Sequence, residues 1–450
     1  MNTEKRNFYK TAAALVVPLA LQNLINVGVS GADVIMLGRV GEAALSGASL
    51  GGQIYFIMNL FLFGLTSGVM VLASQYWGKG DTKTIEKILG LALKIALFVS
   101  LLFLCAGYFV PDRLMRIYTS DKEVIKQGVS YLRIVCLSYP AAALSMTYLY
   151  TLRSVEKPQI ATIVYTVSLL VNVFVNALLI FGLCGFPRME AAGAAVGTLI
   201  ARIFEVLLSF LYDRKVNKVY RLSLSSFVIK NKLLLRDFAV ISVPVIINEL
   251  MWGLGMSMTA AILGQLGKTV SSAYSVVAVV RQFAQVVTFG ISGAAAVMIG
   301  KSIGLGENDK AVVQARRFHR LSIIFGLGAC AIVLLVSPMV LSFVSISAAA
   351  KKLLLQMLII VSVIVIAQSH NCTMIVGIYR GGGDTRYGMM ADMVSMWLGS
   401  ILLGYLSAFI WKFDVWVTFL FLLSDEFIKI PMCLVHYYRR KWLNNITRGY

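Results

Sequence analysis

VPLALQNLINVGVSGADVIMLGRVG, residues 17–41, and VPVIINELMWGLGMSMTAAILGQLG, residues 243–267, are two copies of one pattern. At a shift of 226 residues Val17-Pro18 falls on Val243-Pro244, Leu37-Gly38 on Leu263-Gly264 and Gly41 on Gly267. Outward from there, Phe63-Gly64 falls on Phe289-Gly290, Gly78 and Gly80 on Gly304 and Gly306, and Asp81 on Glu307, with no gap. Eleven glycines lie between Gly28 and Gly80, and five of them meet glycine. With 37 glycines in 450 residues, about one such match is expected by chance, so the chain is an internal duplication. At a shift of 227, Pro111 meets Pro338 and Arg153 meets Arg380.

What is duplicated is apolar. The chain is 58% hydrophobic and only 14% charged, with a mean hydropathy of +0.80. A soluble chain carries about 25% charged residues, so much of this apolar surface must face lipid. The net charge of +20 forms no single basic face. Its lysines and arginines sit in short clusters between apolar runs, which implies membrane topology and lipid contact rather than nucleic acid.

Runs long enough to span a bilayer occur at 11–38, 46–74, 88–110, 128–151, 160–184, 190–212, 238–265, 270–299, 319–345, 352–378, 387–410 and 414–437. The sequence thus predicts an all-α polytopic membrane protein of twelve transmembrane helices. The first run follows MNTEKRNFYK and holds Gln22, Asn23 and Asn26, so a retained span is expected there rather than a cleaved signal. With the N-terminus inside, cytoplasmic segments hold twenty-six lysines and arginines and the opposite loops ten. Both termini are therefore expected in the cytoplasm. The polar stretch 213–237 separates an N-terminal lobe (1–212, helices one to six) from a C-terminal lobe (238–450, helices seven to twelve and a basic tail). Six helices per lobe give both the same orientation, hence a parallel pseudo-two-fold repeat. Pro18 and Pro244 stand near the starts of helices one and seven, where each permits either a mobile or a static kink.

Ionisable groups inside spans are costly and therefore informative. Asp33 lies six residues before Arg39, about one and a half turns inside the extracytoplasmic end. It is either a cavity-facing carboxyl able to bind and release a proton or an interfacial group paired with Arg39. Asn172 and Asn176 share a face of helix five, and Thr198 adds a hydroxyl from helix six. With Asp33 these could supply oxygens to a sodium ion or proton, or the asparagines could be interhelical glue. Glu249, five residues after Pro244, is the second-lobe candidate, and its repeat partner is Asn23. Arg281, Asp392, Asp425, Glu426, Lys429 and the pair Arg202/Glu205 read as ion pairs within the bundle, with Arg281 and Glu249 possible partners of each other.

The six cysteines lie in or beside apolar runs without a C-x-x-C pair, so neither disulfides nor a metal site is expected. His319, His370 and His436 are far apart in sequence. Trp77-Gly78-Lys79-Gly80-Asp81 and Arg380-Gly381-Gly382-Gly383-Asp384-Thr385 are glycine-rich but lack the phosphate-cradling pattern. No paired acid, histidine or nucleophile constellation suggests an enzyme. Energy is then expected from an ion gradient, with no cofactor beyond H+ or Na+.

The chain resembles the multidrug and toxic compound extrusion (MATE) family, within the superfamily that also holds lipid-linked oligosaccharide flippases. The likeness is carried by Pro18 with Asp33-Val34-Ile35-Met36-Leu37-Gly38-Arg39-Val40-Gly41, by Gln75-Tyr76-Trp77-Gly78, and by Asn172-x-x-x-Asn176 running on to Leu179-Ile180-Phe181-Gly182. Gly193-Ala194-Ala195-Val196-Gly197-Thr198 and Gly377-Ile378-Tyr379 leading into the Arg380–Thr385 motif complete it.

The resemblance implies two six-helix lobes, alternating access, and export of amphipathic, cationic drugs in exchange for H+ or Na+ across the cell membrane. In the DinF-related branch it makes Asp33, fifteen residues after Pro18, the ion-coupling residue, with Asn172 and Thr198 as partners; Asn176 stands where several relatives have aspartate. The NorM branch uses carboxylates of helices seven and ten, where this chain offers Glu249 and Gln368-Ser369-His370, so a second-lobe sodium site is not expected. The alternative function is flipping of a lipid or lipid-linked oligosaccharide, against which Asp33 and Glu249 argue. Expected partners are small organic cations and membrane lipids, with no nucleic acid, and the expected state is a monomer.

Overall fold

A computed structural model describes residues 3–220, 231–344 and 346–449, and no strand occurs among them. Part of the 213–237 stretch, residues 221–230, and the final residue of the predicted ninth span, Ser345, lie outside the described residues. The helices are α1 Thr3–Gly38, α2 Glu42–Lys79, α3 Thr82–Phe109, α4 Pro111–Tyr118, α5 Lys122–Val135, α6 Tyr139–Ser154, α7 Pro158–Phe181 and α8 Glu190–Lys215. After them come α9 Lys232–Gln265, α10 Lys268–Gly304, α11 Asn308–Phe343, α12 Ala348–Cys372, α13 Thr385–Met393, α14 Leu402–Tyr405, α15 Val415–Leu422 and α16 Asp425–Tyr438. Wide π-type turns at Thr373–Tyr379, Val394–Ile401 and Leu406–Ile410 extend α12 and join α13 to the residues after α14.

Eleven helical segments of the described residues are long and apolar enough to cross a membrane, the first eleven of the twelve predicted runs. The twelfth run is not one helix. It breaks at Leu423-Ser424 between α15 and α16, so that Asp425 and Glu426 head a helix instead of lying in the middle of one. Carboxylates are favoured at a helix N-terminus by its exposed N–H groups, and Ser400 Oγ both donates to Asp425 Oδ1 at 2.8 Å and accepts from its backbone N–H at 2.7 Å. The helices around Pro18 and Pro244 run on without interruption. At 36 residues α1 is about 54 Å long, well beyond the apolar thickness of a bilayer. One face of α11 is left bare: Leu335 and Phe343 are 78% and 79% exposed, as a lipid-facing surface requires.

The chain forms two compact units. One comprises residues 21–73 and 80–239, the other residues 1–20, 74–79 and 240–449. In the first, α7 lies along α8 and α3 along α6. The α7–α8 approach depends on small residues: a Cβ on Gly193 would stand 2.8 Å from the Leu179 carbonyl carbon, and one on Gly197 would collide with Asn176 Oδ1. This is the close glycine crossing that membrane helices use where apolar burial gives little drive. Leu37, Ile180, Ala191 and Ala194 close the core above it.

In the second unit α10 packs on α11 and α12 around Leu358, Val361, Val365 and Phe419. The beginning of α1 joins it, with the Phe8 ring edge-on to Phe318 at 5.1 Å. Here the duplication becomes visible as geometry. Gly78 of α2 abuts the carbonyl of Lys301 on α10, and Gly304 of α10 abuts the carbonyl of Gln75 on α2. Under the 226-residue shift each contact maps onto the other. Gly80 and Gly306 just beyond both take left-handed backbone angles, φ +77° and +79°, which glycine adopts without strain.

The basic tail is a strap within the second unit. Asn444 N donates to Gly382 O at 2.8 Å, and Gln75 reads the strap as a neighbouring strand would. Its Nε2 donates to Asn444 O at 3.1 Å and its Oε1 accepts from Ile446 N at 3.0 Å. Trp442 is fully buried and stacks on Tyr437. Gly382 must be glycine, because any Cβ there would strike the Trp442 carbonyl.

Candidate functional site

The predicted residues of the first lobe come together in one unit. Two contacts set the register of α1 along α7. Near the start of α7, the buried Gln22 donates through Nε2 to Pro158 O and Thr162 Oγ1, both at 2.8 Å. Eleven residues further along α1, Asn176 Nδ2 donates to Asp33 Oδ1 at 2.6 Å. The same amide donates to Asn172 Oδ1 at 3.2 Å, and Asn172 Nδ2 approaches Thr198 Oγ1 at 3.5 Å. Asp33, Asn176, Asn172 and Thr198 therefore form one polar chain across α1, α7 and α8. Asp33 is half-buried while the next two residues, Val34 and Ile35, are exposed. Of its two sequence readings, the structure gives it Asn176 as partner rather than Arg39.

A narrow cavity opens beside this chain, lined by Asn26, Tyr165, Ser168, Asn172, Thr198, Arg202 and Glu205 among others. Arg202 and Glu205 form the ion pair that their spacing implies, with Nη1 2.6 Å from Oε1. The sequence reading favoured pairing within the bundle for them. The fold puts them on the wall that Asn172 and Thr198 share. Ser145 and Ser168, which hold the Glu205 carboxylate, were missed, since a serine in an apolar run carries no signal of its own partner.

The second unit holds the charges that were expected to pair within the bundle. Glu249 pairs with Arg380, whose Nη2 donates to Oε1 at 2.7 Å. This corrects the suggested pairing of Glu249 with Arg281, because Arg281 Nε donates instead to Gln368 Oε1 at 3.3 Å. Lys429 lies 2.9 Å from Asp425, 3.3 Å from Asp392 and 3.5 Å from Glu426. Asn371 Nδ2 donates to Glu426 Oε2 at 2.8 Å, and Asn248 Nδ2 to Asp392 Oδ2 at 3.0 Å. Charges buried this deeply are retained only when paired. His319 and His370, distant in sequence, meet edge-on at 4.9 Å. Among the described residues no three or more His, Cys, Asp or Glu side chains are placed so that they could hold a metal ion.

The lobes also differ at the duplicated arginine. Arg380 finds Glu249, whereas the equivalent of Glu249 in the first copy is Asn23, and Arg153 stacks over the Tyr150 ring at 3.6 Å instead. The scaffold was kept and the charges diverged.

A MatE family model matches residues 18–178 and matches again over 244–406. The chain belongs to the MatE family. The two matches start 226 residues apart, at the two prolines of the duplicated pattern. Among curated proteins this MatE chain is similar to the "Probable multidrug resistance protein NorM" of Thermotoga maritima, 22% identical over 96% of this chain and 93% of the relative. It is likewise similar to the "Multidrug resistance protein PmpM" of Pseudomonas aeruginosa, 21% identical over 88% and 83%. Among solved structures, a mutant of the Vibrio cholerae MATE transporter VcmN superposes with a TM-score of 0.88 at 16% identity, covering 99% of both chains. A MOP superfamily transporter from Pyrococcus furiosus gives 0.86 at 15%, over 96% and 95%. The MatE chain thus has the twelve-helix, two-lobe all-α fold of those transporters and is a multi-pass membrane protein of a transporter family.

Chemically, the Asp33 chain offers one carboxylate, two amides and a hydroxyl at a half-buried place. Such a set can take up a proton or a small cation and pass the change to α7 and α8 through hydrogen bonds. In the second unit the carboxylates are already engaged by Lys429 and Arg380.

Proposed function

We propose that this protein exports amphipathic, cationic small molecules across the cytoplasmic membrane by alternating access, in exchange for H+ or Na+ that enters through Asp33. The observation that carries this reading is the 2.6 Å hydrogen bond from Asn176 on α7 to a half-buried carboxylate on α1. Binding of the ion at Asp33 removes or screens its charge, weakens its hold on Asn176 and biases one conformation of the first lobe. In a one-for-one exchange of monovalent cations the membrane potential acts equally and oppositely on the two ions, so the concentration gradient of the entering ion supplies the drive, about 1.4 kcal/mol for each tenfold difference. Relatives named as multidrug resistance proteins support the substrate class. Both termini face the cytoplasm, the protein works as a monomer among membrane lipids, and neither a cofactor nor nucleic acid takes part.

The test is dye efflux from everted vesicles. Asp33→Asn should abolish extrusion of a fluorescent cation while membrane expression stays at the wild-type level. Extrusion by the variant at the wild-type rate would remove Asp33 from coupling.

A further inference from the structure

The cavity of the first unit holds a pair of charges that ion coupling at Asp33 leaves without a task. Glu205 is 1% exposed, and both its oxygens are engaged. Oε1 accepts from Ser168 Oγ and from Arg202 Nη1, each at 2.6 Å, and Oε2 accepts from Ser145 Oγ at 3.0 Å. Its charge is thus committed to groups of the protein. Arg202 is held less completely. Its side chain keeps 21% of its exposure on the cavity wall, one helical turn beyond Thr198, which the hydrogen-bonded chain through Asn172 and Asn176 links to Asp33. The titratable groups facing it are Asp33 from α1, Tyr55 from α2, Tyr131 from α5, Tyr165 from α7 and Glu205 on α8 itself.

With Asp33 ionised, these groups carry two negative charges and one fixed positive charge. A sodium ion arriving at Asp33 would meet the guanidinium in surroundings that screen charge far less than water does. A proton meets no such obstacle: it forms a bond to one carboxyl oxygen, cancels the charge of Asp33 and leaves Arg202 on Glu205. When the proton departs, the guanidinium is on hand to stabilise the carboxylate.

We propose that Arg202 is the ion-selecting residue of this site, its tethered guanidinium supplying Asp33 with the counter-charge that a sodium ion would otherwise supply, so that the protein couples to protons and excludes sodium. The proposal rests on the reading of Asp33 as the coupling residue. Arg202 acts through Asp33 and is a positioning and selectivity residue, not a site for the exported molecule.

Binding of radiolabelled sodium to the purified, full-length protein in detergent tests it without transport. Wild type should show no Asp33-dependent sodium binding, and its dye efflux in proteoliposomes should follow the pH gradient and ignore replacement of sodium by choline. The double variant Arg202→Gln/Glu205→Gln removes both charges together, so neither is left buried and alone. It should bind sodium at least about tenfold more tightly, and adding Asp33→Asn should erase the gain. Arg202→Lys, which keeps the charge, should stay indifferent to sodium. Asp33-dependent sodium binding by wild type, efflux driven by a sodium gradient at clamped pH, or a folded double variant without the gain would each overturn the proposal. If that double variant does not fold, Arg202→Met/Glu205→Leu, which replaces the buried pair by apolar side chains, supplies the charge-free comparison with the same expected gain. Failure of the coupling reading itself appears elsewhere, as continued efflux by Asp33→Asn.

Discussion

Gly78 and Gly304, 226 positions apart, make the same contact from opposite sides: each lies against the carbonyl of the other helix, Gly78 on Lys301 and Gly304 on Gln75. A duplicated sequence whose copies touch at equivalent residues produces a reciprocal contact of this kind, as in a two-fold dimer interface. The glycines recur because both sides of the crossing need the missing Cβ.

Gly78→Ala and Gly304→Ala should each lower stability by about 1–3 kcal/mol, the usual consequence of forcing an atom into a packed contact. Thermal unfolding in detergent should show similar losses for the two variants, since the contacts are equivalent. Ala in place of Gly52, whose surroundings leave room for a Cβ, should leave the midpoint unchanged.

Gly197→Ala should disturb coupling without altering any charge. The added methyl group would occupy the place of Asn176 Oδ1, so the side chain must leave Asp33 or push α8 from α7. Efflux should fall severalfold or more while expression persists, and Gly197→Ser should be no better.

Arg380→Met should destabilise by about 3–5 kcal/mol, because it takes the guanidinium from Glu249 and leaves a buried carboxylate behind. Adding Glu249→Leu should recover much of the loss. A double-mutant cycle on thermal stability measures the coupling, and strict additivity would mean that the 2.7 Å pair carries no net interaction.

Gly382→Val should detach the C-terminal strap by colliding with the Trp442 carbonyl. Hydrogen exchange should then accelerate at the amides of Asn444 and Ile446, which are bonded to Gly382 O and Gln75 Oε1. Gln75→Ala should release Ile446 while Asn444 stays protected by Gly382, a difference that separates the two anchors.

Much of this molecule was legible because membrane spans are written locally. Each long apolar run, and each copy of the 226-residue repeat pattern, needs only a few tens of residues to be read. The break within the twelfth run was not legible, because hydropathy averages over it, and Ser400, which receives Asp425 at the start of α16, lies 25 residues earlier. Asp33, Asn172, Asn176 and Thr198 could be named because polar groups in apolar spans stand out one by one.

The sequence by itself determined a duplicated, all-helical membrane chain and marked its unusual polar residues, since a bilayer imposes the same demand on every span. Only the tertiary structure decided the partners. Glu249 meets Arg380 across 131 residues rather than Arg281, Lys429 gathers three carboxylates, and Arg202 and Glu205 share the cavity of Asn172 and Thr198. A buried charge must find a counter-charge, but which one it finds depends on how helices distant in the chain are rotated against each other, and no local pattern records that.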